Sequence, residues 1–225
     1  MFRYTIGIDE AGRGPLAGPV AVGVVLVPAD FTWDLIPGVG DSKKLSHTKR
    51  EAIFLRAIEL QKQGKLAYGV GLTSAKNIDH IGIVPSITKA MQQALSKTHT
   101  QGLCVSEAKN PRVPLGNNKI PRGTLGIEKR EVLVLLDGGL KAPAEYVHQE
   151  TIIKGDGKEK VIGLASIMAK VTRDVYMVRR AKLVSYAAYN FDIHKGYGTK
   201  AHREVIMERG LSKEHRTSFC KNLKK

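Results

Sequence analysis

Acidic side chains are scarce in this chain, 21 Asp and Glu against 36 Lys and Arg over 225 residues, so their placement carries information. Asp9 and Glu10 follow the β-rich run Tyr4-Thr5-Ile6-Gly7-Ile8 and precede Ala11-Gly12-Arg13-Gly14. Asp137 closes the apolar run Val132-Leu133-Val134-Leu135-Leu136, and Asp156 lies between Gly155 and Gly157 at the exit of another β-rich run. A carboxylate at the end of a buried strand sits where open α/β sheets expose their sites, and glycines beside it let a substrate backbone approach. Asp also suits turns, which explains any one of these positions taken alone. It explains their joint occurrence less well. Converging carboxylates repel one another unless cations neutralise them, and an all-oxygen donor set favours Mg²⁺ or Mn²⁺ over zinc. Adjacent strand residues point to opposite faces, so Asp9 and Glu10 can share one site only if the strand finishes there. Gly12 and Gly14 are compatible with such a break.

Other groups carry weaker signals. The loop Gly12-Arg13-Gly14-Pro15-Leu16-Ala17-Gly18-Pro19 offers backbone N–H groups, with Arg13 as a charged anchor, to an anion or a sugar-phosphate chain. It lacks the Gly-Lys-Ser/Thr ending of a Walker loop and does not match the dinucleotide fingerprint. Lys43, Lys44, Lys170 and Arg173 suit phosphate contact and solvated surface charge about equally. Asp174 reads as a structural partner for a nearby cation. His194, His202 and His215 match no metal-ligand spacing, and their expected roles are phosphate contact or helix capping. Trp33 and the two cysteines, Cys104 and Cys220, read as packing residues, and the unpaired cysteine spacing supports neither a disulfide framework nor a zinc site.

The elements that must position these groups follow from periodicity. Strands are predicted over 4–9 and 18–27, joined by the glycine-rich turn, and over 66–72, 131–136 and 146–153. Helices are predicted over 48–63, stopped by Gly64; over 85–97, after a short one capped by Thr73 or Ser74; over 161–183; and over 199–209, with Thr199 as cap and Gly210 as stop. Residues 105–130 are punctuated by Pro and Gly among several cations and read as a long loop or insertion. The pattern is α/β in a single domain spanning 1–225, helical in its C-terminal part from about 185.

The formal charge is +15, concentrated in residues 141–225, which carry 18 basic and 9 acidic side chains against 12 and 8 in residues 1–100. That asymmetry suits a phosphate-bearing partner held mainly by the second half. Only 25% of residues are charged and apolar runs recur throughout, which excludes a disordered polycation. No apolar run is long enough to span a membrane, and the first residues lack the succession of a secretory signal, so a cytoplasmic protein is expected.

Taken in order, the motifs resemble the ribonuclease HII family. The resemblance starts at Gly7-Ile8-Asp9-Glu10-Ala11-Gly12-Arg13-Gly14-Pro15-Leu16-Ala17-Gly18-Pro19-Val20 and continues through Asp41-Ser42-Lys43-Lys44-Leu45-Ser46, Leu136-Asp137-Gly138 and Lys154-Gly155-Asp156. It runs on through Ala165-Ser166-Ile167-Met168-Ala169-Lys170-Val171-Thr172-Arg173-Asp174, His194-Lys195-Gly196-Tyr197-Gly198-Thr199, His202 and His215-Arg216-Thr217-Ser218-Phe219. The resemblance implies a ribonuclease H-like fold: a mixed five-stranded sheet flanked by helices, with a helical C-terminal segment. It implies an Mg²⁺- or Mn²⁺-dependent endoribonuclease, most simply a monomer, that acts in ribonucleotide excision repair. Such an enzyme hydrolyses the RNA strand of RNA–DNA hybrids and nicks on the 5′ side of single ribonucleotides in duplex DNA, leaving 5′-phosphate and 3′-hydroxyl ends. By matching position, Asp9, Glu10, Asp137 and Asp156 form the catalytic metal site. Gly12, Arg13 and Gly14 read the RNA–DNA junction, Tyr197 stacks on the deoxyribose beyond it, and Lys43 and Lys44 belong with the substrate contacts. Departures occur at Gly139, Gly157 and Gly163, where the family more commonly has Asn, Ser and Ala-rich sequence, and in the longer segment near 105–130.

Two-metal chemistry is compatible with this reading, because phosphodiester hydrolysis needs an activated water, a stabilised phosphorane and a stabilised leaving oxygen. On that basis Asp9 and Asp137 are the strongest bridging candidates. A junction resolvase would also need clustered carboxylates, but it would act on branched DNA without a ribose. A non-catalytic hybrid-binding protein would need the basic charge and not the carboxylates.

Overall fold

The computed structural model describes residues 2–40, 44–99 and 127–223. Lys43 and most of the expected 105–130 insertion lie outside the described residues. Five strands, β1 (Tyr4–Ala11), β2 (Val20–Pro28), β3 (Ala67–Thr73), β4 (Val132–Asp137) and β5 (Gln149–Ile152), form one mixed sheet in the order β3-β2-β1-β4-β5. The first three make an antiparallel meander, while β4 and β5 run parallel to β1. This is the expected ribonuclease H-like sheet.

Among the described residues, six α-helices cover the sheet and extend beyond it: α1 (His47–Lys62), α2 (Ala75–Ile81), α3 (Ile83–His99), α4 (Lys160–Ala181), α5 (Phe191–His194) and α6 (Lys200–Arg209). Ser46, Ser74 and Thr199 cap α1, α2 and α6 by accepting a main-chain N–H three residues on, which satisfies donors the first turn leaves open. Helix α3 starts two residues before the expected 85, with Pro85 in its first turn, where the missing N–H is no loss.

Alternation assigns the two faces. Tyr4, Ile6, Ile8, Val132, Val134 and Leu136 pack toward α3, whereas Leu135 and the odd-numbered residues of β2 pack toward α1 and α4. Glycines set the helix distances. A Cβ at Gly7 would stand 2.3 Å from the Val161 carbonyl oxygen of α4, and one at Gly71 1.9 Å from that of Ala90 in α3. The helix backbones thus lie directly on the sheet.

Strand β5 is shorter than the expected 146–153. Tyr146 belongs to a turn closed by its N–H on the Pro143 carbonyl, and its side chain is buried in the core rather than lined up in the sheet. From about 185 onward the described chain contains helices and turns, with one isolated bridge between Ala17 and His215. Among the described residues no helix is long and apolar enough to cross a membrane.

Candidate active site

Asp9, Glu10 and Asp137 come within electrostatic reach of one another at the end of the central strands. Parallel pairing of β1 with β4 ends at Ile8 opposite Leu136, so the next residues on the two strands, Asp9 and Asp137, fall side by side on the α4 face. The expectation that β1 must finish at Asp9 is corrected. The strand continues to Ala11 against β2, and what stops at Ile8 is its pairing with β4. Glu10 therefore projects past the end of β4 and remains within electrostatic reach of both Asp9 and Asp137.

Main-chain amides orient these groups. The Glu10 N–H donates to Asp9 Oδ1 at 2.7 Å, and the Gly155 N–H donates to Asp137 Oδ1 at 2.6 Å. The second bond ties Asp137 to the turn that carries Asp156, a 3-10 turn over Gly155–Gly157 entered through Lys154 in left-handed conformation (φ 58°). Asp156 is buried there, and Gly163 of α4 comes so close that a Cβ would lie 2.8 Å from the Asp156 carbonyl oxygen. The departure at Gly163 thus has a steric reason.

Burial pushes the Asp9 carboxyl up to about 7, with the neighbouring Glu10 and Asp137 charges adding to the shift and a hydrogen bond from Ser166 of α4 opposing it. Glu10 is raised too, chiefly by burial, against the pull of Arg13, whose Nη1 stands 3.4 Å from Glu10 Oε1. Ser166 is a contributor that residue-by-residue reading passed over. Its only signal was a hydroxyl on the otherwise apolar face of a helix, at Ala165-Ser166-Ile167.

Among the described residues no three acidic, His or Cys side chains are gathered closely enough to hold an ion as they stand. The donor set nevertheless fits a hard divalent cation. It is all carboxylate oxygen, with Asp9 and Asp156 buried and Glu10 and Asp137 half-buried. The charges of Asp9, Glu10 and Asp137 repel one another, and Asp9 sits at a pKa that a cation would pull down.

Beside the carboxylates lies a second constellation. Gly12 has φ +85°, and the space a Cβ would need is filled by Arg173, whose Nε lies 2.1 Å away from that position. Arg173 does not reach for phosphate, as the sequence left open: it is fully buried, donating to the Pro19 carbonyl at 2.9 Å and the Ala17 carbonyl at 3.1 Å. Arg216, also fully buried, donates to the carbonyls of Gly12, Arg13 and Gly18 at 2.6, 2.9 and 3.0 Å. Burial, with the nearby Arg173 charge, pulls Arg216 down to about 9, so it stays charged at neutral pH. The loop's carbonyls thus face inward to two guanidinium groups, while Arg13 and Gly14 remain exposed.

Tyr197 lies 43% exposed near this loop, with Lys170 Nζ 5.5 Å and Arg173 Cζ 5.6 Å from its ring centre. Lys170 also pairs with Asp174 at 2.9 Å, the structural role expected of that aspartate. Lys44 is exposed just before α1.

Fold and site together define a metal-dependent nuclease built on a ribonuclease H-like sheet. The ribonuclease HII family profile matches residues 6–107 and 125–222, leaving unmatched only an internal stretch within 105–130 and the chain ends. A ribonuclease HII of Endomicrobium trichonymphae is 40% identical over 218 residues, 97% of this chain and 86% of its own length. Among solved structures, the ribonuclease H2 of Pyrococcus horikoshii OT3 superposes with TM-score 0.63 at 20% identity, over 98% of this chain and 96% of that one. Bst-RNase HIII in complex with Mn²⁺ follows with TM-score 0.61 at 16% identity, over 98% of this chain and 68% of its own. These structural likenesses show the fold. The chain belongs to the ribonuclease HII family, metal-dependent hydrolases with ribonuclease H activity on RNA–DNA hybrids.

Proposed function

We propose that this protein hydrolyses the RNA strand of RNA–DNA hybrids and also nicks duplex DNA on the 5′ side of a single ribonucleotide, leaving 5′-phosphate and 3′-hydroxyl ends. Asp9, Glu10, Asp137 and Asp156 would hold Mg²⁺ or Mn²⁺. Bound there, such ions supply charge neutralisation at the phosphate and an acidified water at neutral pH. The chain's own contribution is placement. The amides of Glu10 and Gly155 fix one oxygen each of Asp9 and Asp137.

The observation that carries the junction reading is the fixed loop of Gly12, Arg13 and Gly14 beside the exposed Tyr197. With its carbonyls turned in to Arg216, the loop offers Arg13 and the exposed backbone at Gly14 to a sugar-phosphate chain, while Gly12 is buried against Arg173. A ribose differs from deoxyribose by one hydroxyl, and a site that hydrogen-bonds it rejects DNA strongly. Tyr197 presents a face on which a deoxyribose can stack. Lys44, and Lys43 beside it in sequence, would contact phosphates. On this reading residues 1–225 act as one catalytic domain, as a monomer, in the cytoplasm.

The test is strand nicking of a labelled duplex containing one ribonucleotide, with Mg²⁺ or Mn²⁺, beside an all-DNA duplex and the Asp137→Asn variant. A 5′-side nick absent from both controls is the expected result. Cleavage of long hybrids without this nick would overturn the junction reading and leave the family activity in place.

A further inference from the structure

Three histidines are gathered behind Tyr197 and take no part in the chemistry above. His202 and His215 are buried, and neither reaches a phosphate-binding surface, contrary to one of the roles expected from sequence. His194 caps its own turn, its Nδ1 accepting the Gly196 N–H at 3.1 Å and its Nε2 lying 2.7 Å from the Tyr189 carbonyl.

The hydrogen bonds of His202 and His215 fix their tautomers. A carbonyl can only accept, so His202 Nδ1, 2.9 Å from the Tyr197 carbonyl, carries a proton. A main-chain amide can only donate, so His215 Nδ1, which receives the Ser212 N–H at 2.8 Å, is bare. His215 then holds its proton on Nε2, 3.0 Å from His202 Nε2, which is bare as the neutral ring requires. The chain of donors runs one way: Ser212 amide to His215, His215 to His202, His202 to the Tyr197 carbonyl. Burial pushes both rings down to about 4, so both are neutral at working pH. His194 stacks on His202 with ring centres 4.1 Å apart, and Phe191 packs against both members of the pair.

The far end of this relay also holds the segment that follows Gly14, at residues 16–18. His215 bridges to Ala17, the Gly18 N–H donates to the Glu214 carbonyl at 2.8 Å, and the Arg216 N–H donates to the Leu16 carbonyl at 2.7 Å. Gly196, just before Tyr197, accepts the N–H groups of Leu16 and Ala17.

We propose that His202 and His215 are positioning residues for Tyr197: a one-directional hydrogen-bond relay that fixes the tyrosine's main chain, and so its ring, relative to the junction-reading loop. This deepens the proposed function and rests on its reading of Tyr197. The relay sets ribose-junction selectivity rather than hydrolysis itself.

The readout is the ratio of kcat/KM for nicking at a single ribonucleotide to kcat/KM for a long RNA–DNA hybrid, in which metal chemistry common to both substrates cancels. Misplacing a stacking group by about an ångström is enough for a large rate effect, so His215→Phe and His202→Leu should each lower the ratio roughly tenfold or more. His202→Asn, whose amide can still donate to the Tyr197 carbonyl but is too short to accept from His215, should fall between His202→Leu and the wild type. Tyr197→Ala is the reference. If Tyr197→Ala leaves the ratio unchanged, the junction reading fails and the relay falls with it. If Tyr197→Ala lowers the ratio while folded His215→Phe and His202→Leu do not, the relay alone is overturned. A measurement on the unaltered protein guards against variants that fail to fold. Imidazole ¹⁵N–¹H correlation spectra at neutral pH should show His202 protonated on Nδ1 and His215 on Nε2, and the opposite tautomers would overturn the relay.

Discussion

The two halves of the site solve opposite problems. At the carboxylate end, like charges are brought together and buried, and burial with mutual repulsion lifts Asp9 to about 7. At the arginine–histidine end, positive and neutral donors are matched almost group for group to inward-facing carbonyls. The exception there is Arg173 Nη1, which finds no hydrogen-bond acceptor among the described residues and belongs to the guanidinium lying over the Tyr197 ring. One end carries unbalanced like charge, and the other matches nearly all of its donors internally.

Their pH linkage differs in sign. Between its ordinary 3.8 and its folded value of about 7, Asp9 holds a proton that the unfolded chain releases, so its contribution to stability falls as pH rises through that window. His202 and His215 refuse protons that the unfolded chain takes up between 6.5 and about 4, so their contribution falls as pH drops through that window.

The sharpest way to separate the two ends is Asp137→Asn. It should lower hydrolysis of every substrate by on the order of a thousandfold or more while hybrid binding, read by fluorescence anisotropy, survives. Arg216→Met attacks the other end. It strands three buried carbonyls and should destabilise the fold by about 3 kcal/mol, a fall of roughly 10 °C in Tm.

A glycine pair tests the loop more finely. Gly12→Ala places a methyl against Arg173 at positive φ and should destabilise by about 2 kcal/mol in denaturant titration. Gly14→Ala, with nothing within 4 Å of the new methyl, should stay within about 0.5 kcal/mol. Acid sensitivity tests the histidines. In chelator, lowering pH from 6.5 to 4.5 should destabilise the wild type by about 2 kcal/mol more than His215→Phe, which lacks one of the two groups. Equal losses in the two proteins would remove His215 from the account.

The carboxylate end was the more legible in sequence. Its residues sit at strand ends, next to glycines, where local pattern alone marks them, and β1 and β4 were recognisable from apolar runs. How Asp9 and Glu10 both come within electrostatic reach of Asp137 was not legible, because it depends on where pairing with β4 stops rather than on β1 itself. The arginine–histidine end was hardest to read. Arg173 and Arg216 look like surface cations in a basic chain, and their burial becomes visible only when residues near 12–19 and 214–216 meet across almost the whole sequence. Local periodicity carries no trace of such contacts. The resemblance placed Gly12, Arg13, Gly14 and Tyr197 in one function, but what holds them in place is purely tertiary.

The pairing that brings Asp9 beside Asp137 has a consequence for assembly. Antiparallel β1, β2 and β3 are near neighbours in sequence, joining Tyr4 to Pro28 and Val20 to Thr73, whereas β1 joins β4 through Tyr4 and Val132. Loop-closure entropy rises with the length of chain enclosed, so the meander has a local route to its structure and the β1–β4 seam does not. A nascent chain can therefore hold Asp9 and Glu10 in an ordered hairpin well before it has a reaction centre, and hydrolytic competence should arrive late in refolding, with the docking of β4.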